Sequence, residues 1–207
     1  FGLYTQNGYF KGKIEVASLP QLPTKAPSYH YNFMAGTGSL ILNQASTDIT
    51  SVSGSIINAT QCWVSESNAI TGDSAIQFVA GQDSRIELED TGWYISDAGA
   101  ISIMSMSLAV WIKPENADHH HPQIIWEAGG SSKGNVLYVS QSAVWWTAFE
   151  GSQNNYSSTL AVTASIPSGE YSHIGATYDA GTGSIYVNGT KIATNIGGSG
   201  FGDGLSY

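Results

Sequence analysis

The sequence predicts an all-β chain: a two-sheet antiparallel sandwich of the jelly-roll kind, preceded by a short extended β arm. Three observations carry that prediction. Almost no stretch places apolar residues at i, i+3, i+4 and i+7, whereas polar and apolar residues alternate with period 2 throughout. Turn signals punctuate the alternating runs at short intervals, as a sandwich or jelly roll requires. With 42% hydrophobic and 11% charged residues, the chain is too apolar for disorder and too interrupted for a membrane span.

The elements follow in order. Residues 8–17 read as one or two short strands, and Pro20, Pro23 and Pro27 then mark an extended connector. A boundary near residue 27 leaves residues 1–27 as an arm too short to bury a core of its own, so it must borrow stability from other chains or domains. Residues 28–207 form the sandwich domain, its last strand cut short at Tyr207. Strands are expected near 29–34, 74–79, 84–88, 106–113, 123–127, 135–139, 143–149, 170–178 and 184–187. Met106, Leu108, Val110 and Ile112 share one strand face, which is therefore core, and Pro114 ends the strand. Gly181 and Gly183 give the chain between the last two strands freedom to turn, and Asn188-Gly189 is a strong two-residue hairpin signal.

Several function classes drop out on charge and composition. Seven Lys+Arg against 16 Asp+Glu give a formal net charge of 7 − 16 = −9, and the basic residues are scattered. Nucleic acid, which demands clustered positive charge, is not an expected partner. No run approaches the roughly 20 apolar residues of a spanning helix, so membrane insertion is not expected either. The start, Phe1-Gly2-Leu3-Tyr4-Thr5-Gln6, has no charged or apolar leader region and no initiator Met, and reads as a piece of a longer protein. A single cysteine, Cys62, has no partner for an internal disulfide and reads as a small buried apolar residue.

Four blocks, in order, carry a family resemblance. They are Tyr29-His30-Tyr31-Asn32-Phe33-Met34-Ala35-Gly36-Thr37-Gly38, then Gly72-Asp73-Ser74-Ala75-Ile76-Gln77-Phe78 with Ser84-Arg85-Ile86-Glu87-Leu88. Leu108-Ala109-Val110-Trp111-Ile112-Lys113-Pro114 follows, and last comes Glu170 to Asp179 with Ile185-Tyr186-Val187-Asn188-Gly189. Together they resemble laminin-G-like, concanavalin A-like jelly-roll domains across roughly residues 29–207. The resemblance implies binding of carbohydrate or protein, and His173 as a strand packing residue. It also implies a calcium ion near an acidic residue after the opening Phe. Here that position is Met34, a soft thioether where calcium prefers hard oxygen, which leaves Asp48 and Asp83 as the candidate ligands. A second resemblance covers the arm: Gly2 to Ile14 is similar to segments preceding the tip domains of bacteriophage tail fibre and tail tip proteins, which implies a homotrimer through the arm and a place in the virion tail.

Catalysis is not the expected function. Glycosidases need two carboxylates about 5–5.5 Å or about 6.5–9.5 Å apart. The nearest sequence is Glu87-Leu88-Glu89-Asp90, which reads as a solvated strand end beside a turn. Fragments similar to alginate lyase motifs recur as Arg85-Ile86-Glu87-Leu88, Gln123-Ile124-Ile125 and Tyr9-Phe10-Lys11, but Ile125 stands where the histidine should and the tyrosine block comes first instead of last. The run His119-His120-His121 invites a metal, but consecutive rings seldom converge on one ion, and an exposed loop is expected.

Recognition is better supported. In Val144-Trp145-Trp146-Thr147-Ala148-Phe149-Glu150, neighbours point to opposite faces. Val144, Trp146 and Ala148 make the apolar core face, which turns Trp145, Thr147 and Phe149 outward. An aromatic platform there would stack on the C–H face of a sugar ring, with amides and carboxylates ordering its hydroxyls. Tyr138, Trp126, Glu150, Asn154, Asn155 and Tyr156 are the nearest companions of Trp145 in sequence. The expected function is therefore a non-enzymatic module that binds a glycan or surface protein of a bacterial host at the tip of a phage tail. An extracellular or cell-surface bacterial adhesin or carbohydrate-binding module, and a structural trimerising decoration, are the alternatives.

Overall fold

The computed structural model describes residues 30–31, 33, 36–45, 54–58, 62–65, 74–79, 81, 84–88, 105–129, 133–152, 155–179 and 182–196. Among the described residues there is no helix, and thirteen strands form four antiparallel sheets. They divide into two compact units, one within Leu3–Gly92 and one within Trp93–Tyr207.

In the first unit, β1 (Leu40–Ile41), β2 (Gly54–Ile57) and β5 (Arg85–Leu88) form one sheet in the order β1-β2-β5. A two-stranded sheet joins β3 (Trp63–Ser65) to β4 (Ser74–Ile76). Buried Ile41, Ile56 and Cys62 make a small core, with Tyr31, Phe33, Trp63, Ile76 and Ile86 packed against it. Side chains tie the irregular chain to the strands: the Trp63 indole donates to the Gly38 carbonyl at 2.7 Å and the Ser74 hydroxyl to the Phe33 carbonyl at 2.8 Å. Of the strand expected at 29–34, the described part is an isolated bridge from Tyr31 to Asn43. Cys62 is buried, as expected, and donates its thiol to the Asn58 carbonyl at 3.4 Å.

The second unit holds two four-stranded sheets. β7 (Gln123–Gly129), β8 (Lys133–Ser140), β9 (Ala143–Ser152) and β10 (Asn155–Ser165) form a meander in the order β10-β9-β8-β7. β6 (Ser105–Ile112), β11 (Ser172–Asp179), β12 (Thr182–Val187) and β13 (Thr190–Ile196) form the other, in the order β13-β12-β11-β6. One apolar cluster joins the two. Leu137, Val139, Val144, Trp146, Ala148, Leu160, Val162 and Ala164 come from the meander, and Met106, Ile174, Ala176, Tyr178 and Ile185 from its partner. Two sheets sharing one core is the sandwich that the alternation predicted.

Each strand supplies this core through its period of two. β11 alternates buried and half-buried residues from Ser172 to Tyr178, and Leu108, Val110 and Ile112 of β6 pack on the cluster beside buried Met106. Between β12 and β13, Asn188 and Gly189 take φ of 50° and 79°, the two left-handed residues of a tight hairpin turn. The Asn188 side-chain oxygen also accepts from the His173 amide at 2.9 Å, which anchors that turn to β11. The sheets approach closely at Gly183 of β12, where a side chain would meet the buried Leu160 of β10.

Candidate functional site

The meander has a second face, and its composition follows from the same alternation. Val144, Trp146 and Ala148 are buried while Trp145 and Thr147 are half-buried on the other side, as expected. Phe149 pairs in register with Gly134 and Ser158, and its side chain lies outside the described residues. On β8, buried Asn135, Leu137 and Val139 alternate with half-buried Val136 and Tyr138.

Register builds a row across all four strands. Ile124 stands opposite Tyr138, Tyr138 opposite Trp145, and Trp145 opposite Thr163. The Tyr138 and Trp145 rings lie parallel, 4° between planes with centroids 6.1 Å apart. Ile124 and Thr163 extend the row with exposed side chains at both ends. One step along the strands, Glu127, Val136, Thr147 and Ala161 form a parallel row, so the exposed Glu127 carboxylate belongs to the same face. Partial burial pushes the Tyr138 phenol above its ordinary value near 10.0, which keeps it a neutral hydrogen-bonding group.

Trp145 is held by its own hairpin. Its indole N–H donates to the Ser140 carbonyl at 3.2 Å. The β8–β9 turn places Gln141 and Ser142 at φ of 53° and 61°, a left-handed pair built without glycine. Such a turn costs on the order of 1–2 kcal/mol per residue and persists only where surrounding contacts hold it. Here the loop before β7 supplies them. The Gln141 amide donates to the His119 carbonyl at 3.1 Å and the Ser142 amide to the Ala117 carbonyl at 2.7 Å. The Ser142 hydroxyl reaches Asp118 Oδ1 at 3.3 Å.

Of the remaining expected ligand-binding residues, Trp126 alone has a described side chain. Trp126 does not share the Trp145 face: a bulge between Ile124 and Trp126 turns both Ile125 and Trp126 to the core, and the Trp126 ring lies 5.9 Å from that of Trp146. A bulge puts successive residues on one side, which plain alternation does not anticipate. Glu150 pairs with Lys133 and Ser157, Asn155 with Ser152, and Tyr156 with Gly151, all through backbone positions whose side chains are outside the described residues. Asn154, Asp48 and Asp83 are outside the described residues altogether, as is Met34. Ile124, Glu127, Val136 and Thr163, which join the face through register, were not anticipated. Two-residue alternation counted back from Trp145 through the hairpin would have reached Val136 and Tyr138 but not β7.

Other candidates resolve as well. His119, His120 and His121 are an exposed loop, with the His119 and His121 rings 5.3 Å apart. Among the described residues no group of three or more His, Cys, Asp and Glu is arranged to hold a metal. Glu87 is exposed and pairs with Arg85 Nη2 at 2.7 Å, a surface ion pair at a strand end. His173 packs on Trp111 across β6 and β11, ring centroids 4.9 Å apart, on the outer face of the other sheet. Trp111 is 45% exposed there, and beside it Lys113 Nζ sits 5.4 Å from the centre of the Tyr171 ring.

A comparison with curated proteins finds no match. A laminin-G-type family model does match, over residues 81–205, more than half of the chain; the opening blocks at 29–38 and 72–78 lie outside it. The match covers β5, both sheets of the sandwich and the stacked Tyr138–Trp145 pair. The chain belongs to the Concanavalin A-like lectin/glucanases superfamily.

Proposed function

We propose that the chain is a non-enzymatic carbohydrate-binding module whose contact surface is the outer face of the meander. The parallel Tyr138 and Trp145 rings are the observation that carries this reading. The parallel aromatic pair, extended by Ile124, offers an apolar surface on which sugar C–H groups pack. The Tyr138 hydroxyl, Thr147, Thr163 and the Glu127 carboxylate offer the hydrogen bonds that fix ring orientation. Superfamily membership supports a glycan-related role and includes both lectins and glucanases in its name.

Binding without cleavage is the favoured form because glycoside hydrolysis needs a second carboxylate within about 9.5 Å of the first. Register brings Glu127 to this face as its one carboxylate among the described residues. Calcium enters the proposal only through Asp48 and Asp83. With Met34 at the acidic position the donor set fits that ion poorly, and no step of sugar binding is routed through it.

The finer setting is recognition of a glycan or surface protein on a bacterial host by a phage tail tip, with the chain a homotrimer through residues 1–27. What supports it is the likeness of Gly2 to Ile14 to tail fibre segments and the inability of so short an arm to fold alone. A secreted or cell-surface bacterial adhesin uses the same face and is the second reading. The test is a glycan array, including bacterial surface polysaccharides, probed with the full chain. Binding to a defined glycan class is expected. No binding to any glycan, with the protein folded, overturns the carbohydrate reading.

A further inference from the structure

We infer that His119 and Ser140 are positioning residues for Trp145, and that the charge on His119 sets how firmly the aromatic platform is held. The inference rests on the proposed use of the Tyr138–Trp145 face and adds its regulation. It starts from one hydrogen bond. The backbone N–H of His121 donates to His119 Nδ1 at 3.1 Å, so that nitrogen must carry a lone pair and not a proton. The bond closes the loop back on itself and fixes the carbonyls of His119 and His120.

Those two carbonyls hold the turn. The Ser140 hydroxyl lies 3.2 Å from each of them, and the Gln141 amide donates to the His119 carbonyl as well. The Ser140 carbonyl in turn receives the Trp145 indole N–H at 3.2 Å. From imidazole to platform the chain of contacts is thus His121 amide, His119 ring, His119 carbonyl, Ser140, Trp145. The turn at its centre carries two left-handed non-glycine residues and depends on outside contacts for its shape.

Protonation breaks the first link. An imidazolium presents N–H at both nitrogens, so Nδ1 of a charged His119 faces the His121 N–H as donor against donor. His121, with its ring centroid 5.3 Å away, adds like-charge repulsion when it too is protonated. Glu115, Asp118 and His120 share the loop itself. The β8–β9 turn contributes only hydroxyl and amide groups, and β7 contributes Gln123, whose amide donates to the Asn116 carbonyl at 2.7 Å. The 166–169 stretch contributes the Ser168 hydroxyl, which accepts from the Ala117 amide, with Glu170 next along the chain. The carboxylates of Glu115, Glu170 and Asp118 all attract an imidazolium, and Asp118 is the one next to His119 in the chain. It is engaged by the Ser142 hydroxyl, so drawing it toward His119 loosens the same turn.

The experiment follows the six tryptophan indole N–H signals of the 15N-labelled full chain from about pH 8 to about pH 5, across the range in which imidazoles titrate. Loss of one signal in Trp145→Phe identifies Trp145. That signal is expected to shift through a single transition in the wild type and to lose the transition in His119→Asn, whose side-chain oxygen accepts the same bond without titrating. His120→Asn is expected to keep the transition. Ser140→Ala is expected to move the signal at neutral pH toward its acid position. A wild-type signal that stays put, or a transition that survives in His119→Asn, overturns the inference. Because no sugar is added, a flat titration counts against this coupling alone, and an empty glycan array counts against the binding reading alone.

Discussion

Gly183 of β12 offers a sharp test of how the two sheets meet. A methyl group there would lie 3.1 Å from both Cγ and Cδ1 of Leu160 and nearer still to Cδ2. Leu160 is 2% exposed and has no solvent into which to retreat. Forcing an extra methyl into a packed core costs about 1–3 kcal/mol. Opposing it, alanine stiffens the unfolded chain and stabilises by about 0.4–1 kcal/mol where the backbone permits, and Gly183 is not among the residues at positive φ. Because Leu160 Cδ2 would lie closer than any real contact, the upper part of that cost applies, about 2–3 kcal/mol, and the net expectation for Gly183→Ala is a loss of about 1–2.5 kcal/mol. Leu160→Ala alone should cost about 2–5 kcal/mol through the cavity it leaves. In the double variant the new methyl occupies part of that cavity, so the two costs should fall short of additivity by about 1–2 kcal/mol. Urea unfolding of the four proteins, with unchanged slopes, measures this directly. Additivity within about 0.5 kcal/mol, or a Gly183→Ala variant as stable as the wild type, would show that β10 and β12 do not meet at this point.

Other outcomes follow from the same geometry. The Tyr138 phenol should ionise above pH 10.0 in the folded chain, read as a late component of the ultraviolet phenolate titration that Tyr138→Phe removes. Above about pH 10 the unfolded chain holds fewer protons than the folded one, so this group's contribution is fully present below about pH 10 and is lost as pH rises from there through its higher folded value. Cys62, fully buried, should resist a thiol reagent in the native protein and react once denaturant is added. Arg85→Ala should change stability by less than about 1 kcal/mol, because both members of the Arg85–Glu87 pair are about half exposed to solvent.

Much of the sandwich was legible because its strands obey simple alternation. Among the described residues β8, β9 and β11 bury every second residue and β6 turns every second one to the core, so a period of two identifies both the strand and its inner face. Trp145 and Trp146 were separable for that reason alone. Trp126 was not, because Ile124, Ile125 and Trp126 are three apolar residues in a row, and only a bulge decides which of them faces outward. β10 escaped notice because it opens with polar Asn155, Ser157 and Ser158 and shows its alternation only from Leu160 onward. β13 is exposed along most of its length, so burial imposed no pattern on it. β1 and β3, two and three residues long, are too short for a period to appear. The Tyr138–Trp145 stack is a fact of register between strands, and Glu127 joins it only after the β7 bulge is counted.

The central claim is that sugar is taken by the Tyr138–Trp145 face of the meander and not by the exposed Trp111–His173 face of the other sheet. Calorimetric titration of the glycan that binds best on the array, against wild type, Trp145→Ala and Trp111→Ala, separates the two. Each stacked ring is worth about 0.5–1.5 kcal/mol beyond its buried area, so Trp145→Ala should weaken binding by about tenfold or more while Trp111→Ala leaves it unchanged. Binding that survives Trp145→Ala and is lost in Trp111→Ala would contradict the account.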